Sequence, residues 1–344
     1  MAHSSGFEPS RQQALRWDAH ACLPLHPEAS LDPLIRYADA GLHYVSINVG
    51  MDLNPLEQVM RVLSAFRERI EAHPALTLVS DLKSLRAERA SPQPRLTVGF
   101  DLEGALPLIG APTMVSLYHA LGVRQVHLAY NRNNHAAGGC HDRERPLSEL
   151  GGHFVDAINR AGILMDCAHN GAQTSLDIAQ RSRAPVVLSH ANPRSLIDHE
   201  RNVSDEVICA IANTGGVICL NGVSWFLGER SPSVDRLIDH VMYVVARVGV
   251  RHTGIGLDTC FVERHLNDDP PPPYDPSYWW PERSGYVDGL GRAEFIQPEA
   301  WSRLPEKLKA RGLSSAEVNL ILGENMARVL AEVEQVSLVL KAET

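Results

Sequence analysis

The 344-residue chain contains no run of about 18 apolar residues, so nothing in it reads as a membrane-spanning helix. Its amino terminus, MAHSSGFEPSRQQALRW, lacks the apolar stretch of a secretory signal, and a cytoplasmic location is expected. Cysteine is sparse. The six cysteines lie far apart and match no CxxC or zinc-ribbon spacing, which excludes a disulfide framework and predicts free thiols in a reducing compartment. Basic residues are outnumbered, 32 Lys and Arg against 41 Asp and Glu, and the net charge of −9 argues against nucleic acid as a partner. There is no internal repeat and no low-complexity tract beyond Pro270–Pro273. What remains, 44% hydrophobic and 21% charged residues, is an ordinary soluble globular composition, long enough for one large α/β barrel or two medium domains.

The stretch from Gly162 to His190, GILMDCAHNGAQTSLDIAQRSRAPVVLSH, organises the rest. Two short apolar runs, Ile163–Met165 and Pro185–Leu188, each lead to a histidine, and Ala172–Arg181 between them is apolar at helical spacing. This is a β-α-β unit with His169 and His190 at strand carboxyl ends, the edge where parallel α/β proteins place their chemistry. Two imidazoles there suit half of a metal site, although one alone would be read as a structural strand cap.

Six further strands are predicted over Trp17–Leu25, His43–Gly50, Leu96–Gly104, Gln125–Tyr130, Gly216–Gly222 and His252–Asp258, with a minor strand over Leu76–Asp81. Helices are expected over Pro55–Ala72, Leu82–Arg89, Leu147–Ala161, Val234–Val248, Pro298–Arg311, Ser315–Leu322 and Asn325–Val333, with another starting at Ser204. Residues 1–15 read as a polar leader. Residues 264–297, rich in Pro, Tyr and Trp, read as a long irregular loop over the catalytic face, a lid or a dimer contact. Eight strands, most followed by a helix, predict a single-domain (β/α)8 TIM barrel.

Candidate residues gather at strand ends. Strand alternation puts His20 and Cys22 on one face, with Asp18 sharing it. Asp101 and Glu103 form a carboxylate pair on the third strand, one of them able to bridge two cations. The loop NRNNHAAGGC after the fourth strand is a polar rim. Arg201, beside Asn202, is either a solvated charge or a fork for a substrate carboxylate. Asp258 ends the eighth strand. Independent core residues would scatter along the strands, whereas His20, Cys22, Glu103, His169, His190 and Asp258 all fall at carboxyl ends, which points to a metal-dependent hydrolase.

These residues resemble the membrane dipeptidase (renal dipeptidase) family of zinc peptidases, a group of amidohydrolase-like barrels. The resemblance runs from Trp17 to about Val333 and is strongest in GILMDCAHNG, APVVLSHANPRSL with the following RNVSDE, HTGIGLD, and ILGENMARVL. It implies one or two zinc ions. It implies His169 and His190 as ligands of one zinc, Glu103 as the bridging catalytic carboxylate, and His20 as a ligand of the second. It further implies Arg201 as the holder of the substrate carboxylate and Asp258 as the catalytic acid/base beside the bridging water. The family also often dimerises, with Trp279–Trp280 a candidate surface here. Two positions depart from the family pattern. Its His-x-Asp is His20-Ala21-Cys22 in this chain, with a thiol at the place of a ligand carboxylate, and Tyr130 stands where the family has a substrate-contacting histidine.

Three functions follow as expectations. The first is a zinc dipeptidase that tolerates a D-residue on the carboxyl side. The second is a hydrolase of a modified dipeptide or other small amide, with an altered or mononuclear metal site. The third is a non-catalytic metal-binding barrel, disfavoured because it would not need Asp258 together with Glu103, His169 and His190. A small-molecule substrate is expected in each catalytic case.

Overall fold

A computed structural model describes residues 14–267, 269–271, 273–287 and 291–343. The leader expected over residues 1–15 falls outside them up to residue 13, as does Pro272 of the proline tract. Leu15 does not belong to a leader. It is buried, and its amide donates to Glu324 Oε1 at 2.8 Å.

Ten strands form one parallel sheet: β1 (Trp17–Cys22), β2 (Tyr44–Met51), β3 (Leu76–Leu78), β4 (Leu96–Glu103), β5 (Val123–His127), β6 (Leu164–Asp166), β7 (Val186–Leu188), β8 (Val217–Leu220), β9 (Thr253–Ile255) and β10 (Thr259–Cys260). The order is β10-β1-β2-β4-β5-β6-β7-β8-β9, and β3 pairs only with the start of β4. β9 and β10 are two pieces of one passage of chain. β9 pairs with β8 and β10 with β1, so this passage joins the two edges of the sheet. The amide of Gly256 donates to Leu220 O and that of Asp258 to His20 O, which ties the break itself to both neighbours. The architecture is the predicted (β/α)8 barrel.

Strand alternation divides the residues. Val45, Ile47 and Val49, and Val98, Phe100 and Leu102, pack outward in the layer between sheet and helices. The intervening positions turn into the barrel. Near its amino-terminal end they are apolar: Trp17 and Tyr44 stack at 3.7 Å within a cluster that includes Leu164, Val187 and Val217. Gly99 makes room for this stack, because a Cβ there would lie 1.9 Å from the Tyr44 hydroxyl. Gly323 plays the same part in ILGENMARVL, where a Cβ would fall 2.5 Å from Leu15 O. The carboxyl-terminal helix, Asn325–Ala342, closes that end with Met326, Val329, Leu330 and Val333. The chemistry is thereby confined to the other mouth.

Some elements depart from expectation, each for a local reason. The fourth barrel strand ends at His127 and not at Tyr130, because the amides of Ala129 and Tyr130 donate to Asn170 and Asp52 side chains in place of a ladder. The segment expected as one helix over Pro298–Arg311 is a 3-10 turn, Pro298–Ser302, followed by a helix, Leu304–Ala310, with Pro305 in its first turn, where a missing N–H costs nothing. The helix expected over Ser315–Leu322 stops at Asn319 and passes through a π-type turn. The last helix runs beyond Val333 because Ser337 and Leu340 extend its buried face. Helices Asp32–Asp39 and Met114–Ala120 were not foreseen. Of the loop expected over 264–297, Trp280, Tyr286 and Phe295 lie over the carboxyl-terminal mouth, and its described residues include short helical turns at Pro276–Trp279 and Glu282–Ser284, while residues 268, 272 and 288–290 fall outside the described residues. Among the described residues no helix is long and apolar enough to cross a membrane.

Candidate active site

Parallel register assembles the mouth. Glu103 lies opposite His127, and His127 opposite Asp166, giving a polar row across β4, β5 and β6. A register irregularity between Asp18 and Ala21 changes which residues of β1 face the barrel. It turns His20 toward the row. Asp18 does not share that face as expected: its carboxylate accepts from Leu257 N at 2.9 Å and Trp301 Nε1 at 3.0 Å, bracing the broken last strand.

Glu103 is the centre. Its Oε2 accepts from Asn48 at 2.5 Å, while its buried Oε1 has no hydrogen-bond partner. Around that oxygen stand His169 Nε2 at 3.2 Å, His190 Nε2 at 3.4 Å, His20 Nε2 at 3.5 Å and His127 Nδ1 at 3.7 Å. His169 Nδ1 donates to Asn131 Oδ1 at 2.7 Å, and His190 Nδ1 is satisfied by Ser189 Oγ at 2.7 Å. Their outer nitrogens thus engaged, the two rings point Nε2 at each other across 2.9 Å. Burial, then the positive charges of Arg201 and His20, hold both imidazoles well below the ordinary histidine pKa. Neutral rings with Nδ1 committed leave two lone pairs and a carboxylate oxygen converging on one point, a donor set that suits a divalent cation.

The far side of Glu103 has another character. Burial opposes charge on His20, but Asp101, Glu103 and Asp258 outweigh it and raise its pKa well above the usual value. Cys22 Sγ lies 3.4 Å from His20 Nε2. Asp258 Oδ1 is 3.7 Å from the same nitrogen, and its Oδ2 accepts from Asn221 at 2.8 Å. Burial lifts Asp258 above the ordinary aspartate range against the pull of His20 and Arg201, and pushes Glu103 up to about 7 against that of His20 and His127. The carboxylates Asp101, Glu103 and Asp258 are all buried at this mouth, a donor chemistry that again fits bound cations. His20, Cys22 and Glu103 offer one such group, and His20, His190 and Asp258 another.

Strain concentrates here. Asn131, His169 and Asp258 have φ of 58°, 64° and 56°, left-handed values that cost a non-glycine residue about 1–3 kcal/mol each.

A cavity of about 220 Å³ opens beside the cluster, lined by Cys22, Glu103, Tyr130, His169 and Asp258 below and by Trp280, Tyr286 and Phe295 of the long loop above. Tyr130 lies with its ring 4.4 Å from His169 and its hydroxyl accepting from Trp280 Nε1 at 3.2 Å. Trp280 therefore faces the pocket. Arg201 is buried, donates to His190 O at 2.9 Å and keeps a buried Nε without a partner, beside the Phe226 ring.

His20, Cys22, Glu103, Tyr130, His169, His190, Arg201 and Asp258 thus gather at one mouth, whereas Asp18 does not, and several residues that were not singled out join them. His127 pairs with Asp166 at 2.5 Å directly beneath Glu103. Its place was visible in QVHLAY, where it alternates with Gln125, but its opposition to Glu103 depends on register. Cys260, two residues beyond Asp258, also reaches the pocket.

A family model described as Membrane dipeptidase (Peptidase family M19) matches residues 32–267. The matched span begins after β1, so His20 and Cys22 lie outside it. The dipeptidase tcpJ of Claviceps purpurea (strain 20.1) is 28% identical over 292 residues, 82% of this chain and 60% of that protein. The chain spans 51–60% of the length of the first three curated relatives it matches. Among solved structures, an amidohydrolase from Pseudomonas aeruginosa superposes with a TM-score of 0.81 at 24% identity, over 94% of this chain and 97% of that one. A metallo peptidase from Rhodobacter sphaeroides, liganded with a phosphinate mimic of the dipeptide L-Ala-D-Ala, gives a TM-score of 0.72 at 18% identity, over 93% and 99%. These two likenesses establish the shared barrel. By the family match, which covers more than half of its length, the chain belongs to the membrane dipeptidase family.

Proposed function

We propose that the protein is a zinc-dependent hydrolase of dipeptides, able to accept a D-residue on the carboxyl side. The observation that carries this reading is the convergence of His169 Nε2, His190 Nε2 and the unpartnered Glu103 Oε1 beside a cavity of dipeptide size. In this reading His169, His190 and Glu103 would hold one zinc, and Glu103, His20 and Cys22 would hold a second. Zinc, when bound, polarises the scissile carbonyl and makes water a stronger nucleophile near neutral pH.

The chain's own residues do the rest. Asp258 takes the proton from the attacking water and returns it to the leaving amine. Asn221 fixes one of its oxygens and burial raises its proton affinity, both suited to that exchange. Arg201 donates to the substrate's terminal carboxylate from its unpartnered Nε, which limits the substrate to one residue beyond the cleaved bond. Tyr130, Trp280 and Tyr286 cover the substrate and exclude water. Tolerance of a D-residue draws support from the L-Ala-D-Ala mimic bound by the Rhodobacter sphaeroides relative. A reducing compartment such as the cytoplasm suits the six free thiols.

A second substrate class is favoured by one observation. The cavity walls are largely apolar and aromatic, with Met51, Phe226, Phe261 and Phe295 lining them, which suits a modified dipeptide with a bulky apolar group. Metal analysis with parallel assays of L-Ala-L-Ala, L-Ala-D-Ala and an aromatic-capped dipeptide tests both readings. Zinc-loaded protein should cleave at least one. Protein that binds zinc and cleaves none of them would overturn the hydrolase reading.

A further inference from the structure

Two thiols meet at this mouth, and the site described so far employs only one of them. Cys22 ends β1 and Cys260 ends β10, and the ladder makes them register partners on adjacent parallel strands. Both are partly exposed and both line the cavity. Asp258 stands between them, its Oδ1 3.9 Å from Cys22 Sγ and 4.0 Å from Cys260 Sγ. The three ligand atoms lie within 4.8 Å of one another, and His20 Nε2 reaches the same group, 3.4 Å from Cys22 Sγ. Cysteines that merely pack look different. Cys167 and Cys219 are fully buried among apolar neighbours, as a small hydrophobe should be. Cys22 and Cys260 instead face a carboxylate and an imidazole in an open pocket. A single thiolate offers a cation one donor, whereas two on neighbouring strands chelate it. Sulfur also prefers zinc-class ions to the hard, oxygen-seeking ones.

We propose that Cys22 and Cys260, with His20 beside them, form a sulfur-rich site for a thiophilic divalent cation that excludes hard cations such as magnesium, the Asp258 carboxylate between them being left to its acid/base role. It rests on the reading of the pocket as a metal centre and adds that the second cation is held by two sulfurs. As each sulfur–metal bond forms, its thiol proton passes to solvent. Filling the site therefore releases two protons and changes no oxidation state.

Cobalt(II) is the probe, because cobalt bound by thiolate shows a near-ultraviolet sulfur-to-cobalt charge-transfer band that nitrogen and oxygen donors do not give. Metal-stripped full-length protein should take up about two equivalents and develop the band. Cys260→Ser should lose roughly half of its intensity. The double variant Cys22→Ser/Cys260→Ser should lose all of it while still binding about one equivalent at the histidine side. Alkylation mapping of the unaltered protein gives a readout independent of variant folding: zinc should protect Cys22 and Cys260 but not Cys209, and magnesium should protect neither. A cobalt-loaded protein without the band, a band unchanged in Cys260→Ser, or a Cys22–Cys260 disulfide in place of two protectable thiols would overturn the proposal. Its failure is distinct from that of the parent reading. If one equivalent still binds and His190→Ala removes it, only the thiol site is wrong. If no cobalt binds at all, the metal centre is wrong.

Discussion

His169 and His190 on one side of Glu103, and His20 and Cys22 on the other, share a carboxylate but not a chemistry. On the first side both rings are neutral, each is steered by a partner on its outer nitrogen, and His169 sits in left-handed backbone that few sequences accept. On the second side the imidazole has its pKa raised by three carboxylates, and its nearest neighbour is a thiol. The first arrangement is rigid and made from donors that suit one cation geometry. In the proposed reading the second carries a soft donor, Cys22, where the family resemblance implies a hard one. Position is thus set by the strand ends, and donor type is free to change at Cys22, whose own backbone is not left-handed. Damage to the two sides should therefore differ in kind, complete on the first and graded on the second.

The sharpest way to break this comparison is to remove a ring from the rigid side. His169→Ala or His190→Ala should drop hydrolysis to background and cost the protein a zinc, since each leaves too few donors. Metal analysis and assay of the two variants check this, and full activity in either would mean that the first side is not the metal centre. Asp258→Asn comes next. It keeps the hydrogen bond to Asn221 in reach but cannot exchange a proton, so turnover should fall at least ~100-fold with metal content unchanged. An Asp258→Asn protein that has lost a metal would make Asp258 a ligand, in line with its place between the two thiols.

The two sides were also unequally legible in the sequence. The rigid side announces itself locally, because in LMDCAH and VVLSH short strands are followed within two or three residues by their own histidines, although it is the backbone after each strand, left-handed at His169, and not alternation that turns the rings inward. The other side depends on register and closure. Nothing local shows that Cys260 will sit opposite Cys22, since the two are brought together only when the last strand breaks at 256–258 and pairs with the first. His127 was missed for the same reason: its opposition to Glu103 is a fact about two strands. Asp18 misled in the reverse sense, because strict alternation along β1 would place it with His20, and a register irregularity overrides alternation there. Barrel class was readable from eight apolar runs with intervening helical periodicity, whereas the end of β5 was not, as side chains of Asp52 and Asn170 replace its ladder.

A smaller effect is expected at Arg201, which touches the rigid side through His190 O. A charge-assisted bond to a substrate carboxylate is worth about 1.5–3 kcal/mol, roughly ten- to a hundredfold in affinity. Arg201→Ala should raise KM for dipeptides by that factor and leave KM for carboxyl-amidated substrates nearly unchanged. Equal losses on both substrate types would show that Arg201 supports the histidine strand and does not read the substrate.

The smallest effect, and the one that most sharpens the comparison, belongs to Cys22→Asp. A thiolate gives zinc more charge than a carboxylate does, which makes the cation a weaker Lewis acid, and it supplies one donor atom where a carboxylate supplies two. Cys22 has the position of a ligand, with His20 Nε2 at 3.4 Å, so the substitution changes donor type with little change of place. If the thiol limits the second cation, Cys22→Asp should still bind about two zincs per chain. It should cleave simple dipeptides several-fold faster, well short of the ~100-fold scale of an acid/base residue. The cobalt charge-transfer band should fall by about half, since Cys260 would remain as the single sulfur donor. Zinc content, kcat on L-Ala-D-Ala and the cobalt spectrum are then read on one preparation. A variant that holds two zincs and gains no rate would move the source of selectivity from the donor set to Tyr130 and to the Trp280–Tyr286 cover. A variant that loses a zinc would show that the second side needs sulfur, and that its departure from the family's carboxylate is an adaptation to a different cation environment and not a weakening of the same one.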